Sequence, residues 1–138
     1  MIIINGTKKT GISIPKHVLE RLDKIMEKTG AKSRSKVITT AVINYLDEIE
    51  KLMDTAAKVV AVITYTYDHH RGDTVKNLLN TQHDYLDEII FTTHVHVSKH
   101  KCLETLVVKG ETGSILNLIA KLENIKGVEA LKYNIVRP

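Results

Sequence analysis

The sequence predicts an α+β chain in two parts: a β-α-α segment over residues 1–54, then a β-α-β-β-α-β segment over residues 55–138. Three observations predict it. Apolar residues alternate with polar ones in several short runs, which marks strands. Between those runs apolar residues recur at three- and four-residue spacing, which marks helices. Positive charge is concentrated near the start: residues 1–36 hold nine Lys or Arg against three Asp or Glu, while the remainder is slightly acidic.

In the first part, Lys9 to Ile14 alternate, with Lys9, Gly11 and Ser13 on one face and Thr10, Ile12 and Ile14 on the other. Pro15 suits the start of a helix because its fixed φ matches a first helical turn. Val18, Leu19, Leu22, Ile25 and Met26 follow at helical spacing, and Gly30 is placed to stop that helix. Ser33 or Ser35 can cap a second helix, whose stripe is Val37, Ile38, Ala41, Val42, Tyr45, Leu46, Ile49 and Leu52.

A lone strand of about six residues is not stable and needs a partner. The first segment contains none, so the simplest solution is the same strand of a second chain. Strand, helix, turn and helix, dimerised through the strand, is the ribbon-helix-helix arrangement, and a two-stranded ribbon fits the major groove of double-stranded DNA. Lys9, Gly11 and Ser13 would then face the bases. The helix start at Ser33, Arg34 and Ser35 would offer backbone N–H groups to a phosphate. A dimerisation arm that touches no DNA would show the same pattern, and charge alone does not separate the two.

In the second part, Lys58 to Tyr67 reads as a strand and Asp68 to Asp73 as a loop. Residues 73–90 show helical spacing through Val75, Leu78, Leu79, Leu86, Ile89 and Ile90, which places His83 on a buried stripe. Strands are expected at about 91–98 and 102–109, a helix over 112–124, and a last strand over 128–136. This order is the split-βαβ, ferredoxin-like topology, shared by regulatory ACT-type domains.

Six of the seven histidines, and the only cysteine, lie between His69 and Cys102. His94 and His96 flank one residue of a strand, so their imidazoles project to one face. A turn over Ser98 to Lys101 would bring Cys102 back beside them. Together with His83 they form a candidate set of four metal ligands. Taken singly, His83 reads as a core histidine and Cys102 as a small core hydrophobe. His69, His70 and His100 are expected to be exposed and titratable, or weak secondary ligands, with no primary role. Three imidazoles and one thiolate suit tetrahedral Zn(II) or square-planar Ni(II) or Cu(II), and spacing alone does not choose.

One cysteine cannot form an intrachain disulfide, no run of about 18 apolar residues exists, and the apolar start is too short for a signal peptide. The expected compartment is the cytoplasm, with no membrane association.

The ladder Thr81-Gln82-His83, His94-Val95-His96 and Cys102-Leu103-Glu104 closely resembles that of the nickel-responsive transcriptional regulators, the NikR family. Ile14-Pro15, Arg34-Ser35, Val108-Lys109-Gly110 and Gly127-Val128 carry the resemblance along nearly the whole chain after residue 8. The resemblance implies a homotetramer, a dimer of DNA-binding dimers around four metal domains. It implies one Ni(II) per chain, held in a square plane by His94, His96 and Cys102 of one subunit and His83 of a neighbour. It implies that Tyr67, Gln82 and Glu104 lie beside those ligands and orient them. It also implies that Arg71 approaches the DNA backbone, and that nickel-uptake genes are repressed when nickel is plentiful. Two departures stand out. Lys36 and Thr40 occupy positions where the family often has acidic residues that help hold a further cation, and Gly11 replaces a hydroxyl residue on the reading strand.

Two other classes fit parts of the pattern. A zinc hydrolase would use three of the ligands, with Glu104 as the nearest candidate base. A metal-independent ribbon-helix-helix regulator would keep the cluster as a structural zinc site.

Overall fold

The computed structural model describes residues 6–137. It divides into two compact units, Met1–Ile43 and Asn44–Pro138.

In the first unit, α1 (Lys16–Thr29) follows Pro15, whose carbonyl accepts the N–H groups of Val18 and Leu19. Gly30 ends it at φ 72°, a left-handed conformation that glycine adopts without a Cβ penalty. The second helix, α2 (Arg34–Met53), is capped by Ser33, whose Oγ accepts the Lys36 N–H at 3.2 Å. The split between the two units falls inside α2.

Residues 6–15 have no regular secondary structure, so the strand expected at 9–14 is not formed within one chain. The reason is the one the sequence poses: ribbon hydrogen bonds need a second strand. Neither α1 nor the part of α2 in this unit buries a residue, and Ile12, Val18, Ile25 and Val42 are exposed. The helical stripes read from the sequence are therefore at most half-buried in the single chain.

The second unit is a four-stranded antiparallel sheet with two helices. Its elements after α2 are β1 (Lys58–Asp68), α3 (Gly72–His83), β2 (Ile89–His96), β3 (Lys101–Glu111), α4 (Thr112–Glu123) and β4 (Glu129–Val136). The strand order β2-β3-β1-β4 is the ferredoxin-like arrangement. Val59, Ala61, Ile63, Tyr65 and Tyr67 of β1 are buried alternately, as are Cys102, Glu104, Leu106 and Val108 of β3. Leu78 of α3 and Ile115, Leu118 and Leu122 of α4 close this face. Each such aliphatic side chain contributes about 1.5–3 kcal/mol by leaving water. Gly127 holds φ 95° against Thr74, whose Oγ1 donates to the Lys126 carbonyl at 2.8 Å; any Cβ at 127 would clash with that hydroxyl.

The helix expected over 73–90 ends at His83. Asp84 to Glu88 form turns, with Tyr85 N–H bonded to Gln82 O and Glu88 N–H to Tyr85 O. The branched and aromatic run Ile89-Ile90-Phe91 then joins β3 as a strand, which suits its stiff side chains better than a helix does. Leu79, Leu86 and His83 are consequently exposed rather than on a buried stripe. Strand β2 is an edge strand. No helix among the described residues is long and apolar enough to cross a membrane.

Candidate metal centre

Strand register sets the centre. On β3, Cys102 pairs with His96 of β2 on one side and Tyr67 of β1 on the other. Two residues further along, Glu104 pairs with His94 and Tyr65. Directly paired residues share a face, so two rows, His96-Cys102-Tyr67 and His94-Glu104-Tyr65, lie side by side, buried on β1 and β3 and exposed at His94 and His96 on the edge strand.

The side chains converge there. His96 Nδ1 lies 3.4 Å from Cys102 Sγ, and the His94 and His96 rings are 5.1 Å apart. Tyr67 Oη is 3.2 Å from His94 Nδ1. Gln82, near the end of α3, donates to Glu104 Oε1 at 2.6 Å and to Tyr65 Oη at 3.0 Å. The donors that gather within 4.8 Å of one another are thus His69, His96 and Cys102, with Tyr67 beside Cys102 across the strand pair. His94 shares their face, with its ring 5.1 Å from that of His96, but neither His94 nor His83, exposed at the end of α3, is among the gathered donors.

His69 joins the centre although its sequence position reads as an exposed loop. Its Nδ1 is 3.2 Å from Cys102 Sγ, its ring is 5.1 Å from that of His96, and it is half-buried. The signal for it was alternation: Tyr65, Tyr67 and His69 stand at a two-residue spacing, and the face they share continues one residue past the strand. Tyr65, inside the expected strand, was missed although it stands two residues before Tyr67 on the same face.

Burial pushes the Cys102 thiol above its ordinary range, and the nearby Glu104 and Asp68 charges add to this. Tyr65 and Tyr67 are raised by burial and then by Glu104. His69 is lowered by burial and by its histidine neighbours. The centre at neutral pH therefore holds a neutral thiol and a neutral His69 imidazole, a donor that needs no proton removed to bind a metal. Imidazole nitrogens with one soft sulfur fit a borderline divalent ion such as nickel, copper or zinc, and not a hard ion such as calcium. Glu104, 6% exposed and engaged by Gln82, has no open approach for a water it might activate, which counts against the hydrolase reading.

The other predicted residues lie elsewhere. Lys9, Gly11 and Ser13 are exposed in the irregular segment before α1. Ser33 is the α2 cap, and Ser35 is exposed. Arg34 is held in a two-bonded pair by Asp23, at 2.8 and 2.6 Å, and this pairing keeps the Asp23 carboxyl below its usual range. Its guanidinium is thus already occupied, a contact eleven residues apart that the sequence pattern did not reveal. Arg71 is exposed and lies 3.9 Å from Asp73.

Fold and donors define a class: a ferredoxin-like module that gathers imidazole and thiol donors, in a chain that begins with a pair of helices. Comparison with known proteins bears on both halves. Residues 60–136 match the family described as NikR C terminal nickel binding domain, and residues 8–48 match the ribbon-helix-helix protein, copG family. Over 118 residues the chain is 42% identical to a protein of Pyrococcus abyssi that carries the name nickel-responsive regulator, covering 86% of this chain and 85% of that one. A protein of Methanocella arvoryzae with the same name is 35% identical over 130 residues, covering 94% and 93%. Among solved structures, an uncharacterized protein of Thermotoga maritima matches with a TM-score of 0.53 at 21% identity, over 58% of this chain and 99% of that one, a likeness of fold. The chain belongs to the NikR family.

Proposed function

We propose that this protein is a nickel-responsive, DNA-binding transcriptional regulator that represses nickel-uptake genes when Ni(II) is bound. The observation that carries the reading is that His94, His96 and Cys102 share one sheet face, with His96 Nδ1 3.4 Å from Cys102 Sγ, in a chain whose other half matches a DNA-binding family. Both halves are binding modules, and the family is one of regulators rather than enzymes.

In this reading the ligands are His94, His96 and Cys102 of one chain and His83 of a neighbour, with one Ni(II) per chain in a dimer of dimers in the cytoplasm. Exposure of His83 at the end of α3 supports its donation to another chain. The unburied apolar stripes before residue 44 support a second copy at the ribbon. The functional division lies at 54–55: residues 1–54 read a double-stranded DNA operator, and residues 55–138 hold nickel and assemble the tetramer.

Bound nickel would supply a bond between an imidazole on one chain and the His94–His96 strand of another. The residues do the rest. Tyr67 orients His94 through its hydroxyl, and Gln82 ties α3 to Glu104 beside that histidine, so order at the centre extends into the helix ending at His83. Docking of that helix favours an arrangement in which both ribbons reach the DNA, with Lys9, Gly11 and Ser13 toward the bases. Backbone N–H groups at Ser33–Ser35 and the side chain of Arg71 lie toward phosphates.

The test is operator affinity with and without nickel at fixed salt, since phosphate contacts make affinity strongly salt-dependent. A gain of more than about fivefold, roughly 1 kcal/mol, is expected. Equal affinities would refute the switch. A structural zinc site is the second reading, favoured by the three-donor set His69, His96 and Cys102 within one chain; it requires operator binding that is indifferent to chelation.

A further inference from the structure

We propose that the first turn of α4 is a mechanical relay between the strand bearing His94 and the exit of α2, with Glu88 and Ser114 as its positioning residues. The proposal rests on the nickel-switch reading and adds a route to it. His83 ends α3 five residues before Glu88, and His94 lies six residues after it on β2. The turn 84–88 therefore stands between two of the residues read as ligands, and tightening at either one bears on it.

Helix α4 grips that turn at two points. Ser114 Oγ donates to Glu88 Oε1 at 2.8 Å, and Lys121 Nζ stands 5.1 Å from the centre of the Tyr85 ring. Ser114 and Lys121 are about two helical turns apart, so both lie on one face of α4. Among the described residues, the bond from Ser114 is the only side-chain hydrogen bond made by Asp84 to Glu88. The backbone is close as well: the Lys109 N–H donates to the Glu88 carbonyl at 2.8 Å, and a Cβ at Gly110 would stand 3.1 Å from Glu88 Cγ.

The same helical turn holds the segment that leaves α2. The first N–H groups of a helix have no partner within it. Here the Thr112 N–H donates to the Ala57 carbonyl and the Gly113 N–H to the Thr55 carbonyl, each at 2.9 Å, and Thr112 Oγ1 also donates to Ala57 at 3.1 Å. Thr112 is fully buried, and a Cβ at Gly113 would touch Thr55 at 3.4 Å. Just before this segment Leu52 packs against the core, and Arg137 donates to the Glu50 and Lys51 carbonyls at 3.2 Å. Residues 112–114 thus hold both the Glu88 turn and the end of the helix whose start lies in the ribbon-helix-helix segment. A hydrogen-bonded helical turn does not follow one of these without moving the other. Removing the Ser114–Glu88 bond leaves the metal donors and the ribbon in place and cuts the connection between them.

Two measurements on the full chain test this. In metal-free protein, amide exchange at Thr112 and Gly113 reports the hold on the α2 exit. Ser114→Ala and Glu88→Ala should each speed it about tenfold, the factor for one lost hydrogen bond to a charged group, and the double variant should do no more. Glu88→Gln, whose amide oxygen still accepts the Ser114 hydroxyl, should stay within about threefold of the parent. Unchanged exchange in both alanine variants, fully additive effects, or an equal rise at the buried Ile63 of β1, which marks a general loss of stability, overturns the relay. In the second measurement Ser114→Ala should bind nickel within about twofold of the parent yet lose most of the nickel-dependent gain in operator affinity. A gain equal to the parent's overturns the relay. No gain in the parent refutes the nickel switch instead, and amide exchange alone then decides the relay.

Discussion

Replacing Gln82 with Leu isolates the link between α3 and the metal-binding sheet. The change keeps the side-chain volume roughly constant but removes two hydrogen bonds, to Glu104 Oε1 at 2.6 Å and to Tyr65 Oη at 3.0 Å. A hydrogen bond to a charged group is worth about 1.5–3 kcal/mol, and a neutral one about 1 kcal/mol. Because Glu104 is only 6% exposed, water does not readily replace its lost donor. The expected cost is about 2–3 kcal/mol after allowing for the leucine's own apolar gain. Urea unfolding of metal-free protein at one fixed chain concentration reads it: with an m-value near 2 kcal/mol/M, the midpoint should fall by about 1–1.5 M. In a Glu104→Gln background the same replacement should cost about 1 kcal/mol less, because no charge is left stranded. A midpoint shift below about 0.2 M, or an equal cost in both backgrounds, would show that the Gln82–Glu104 bond does not hold α3 to the sheet.

Nickel affinity should weaken as pH falls, by about tenfold per unit for each proton displaced, because the thiol must ionise to bind. Burial raises the Cys102 thiol, so the sign is affinity rising with pH up to that raised value; a pH-independent dissociation constant between pH 6 and 8, roughly the range below it, would exclude the thiolate as a ligand. Lys9→Ala should weaken operator binding while nickel binding stays unchanged, measured by DNA titration and dialysis on the same preparation; parallel loss of both would break the division of labour between the two halves. Gly127→Ala should destabilise the second unit by about 1–3 kcal/mol, since φ 95° is unfavourable for alanine and the new Cβ meets the Thr74 hydroxyl. A thermal midpoint within a degree or so of the parent would contradict that packing.

The register of the centre was legible because alternation alone puts His94 and His96 on one face and the hairpin turn returns Cys102 to it. The ferredoxin-like order was legible for the same reason, each strand being rich in branched residues. What escaped were features decided by contacts distant in sequence. The end of α3 at His83 depends on Ile89 and Phe91 pairing with β3, which outweighs the helical spacing of Leu86 and Ile90. The Asp23–Arg34 pair requires knowing how two helices meet. The strand at 9–14 was readable as a pattern, yet a single chain supplies nothing for it to pair with. His69 lay one residue beyond the strand whose alternation it obeys.

Strand β2 is bonded to a neighbour on one side only, and from Ile90 onward every residue of it is exposed. A segment with few buried contacts and solvent-facing amides opens at a fraction of the free energy needed to unfold the domain. His94 and His96 thus ride on one of the most easily opened stretches of the sheet. Any ligand that engages both closes that opening, adding about 2.7 kcal/mol of protection when present at a hundred times its dissociation constant. Amide exchange along Ile90–His96 would then slow by about two orders of magnitude, while exchange in β1, already shielded on both edges, would change little.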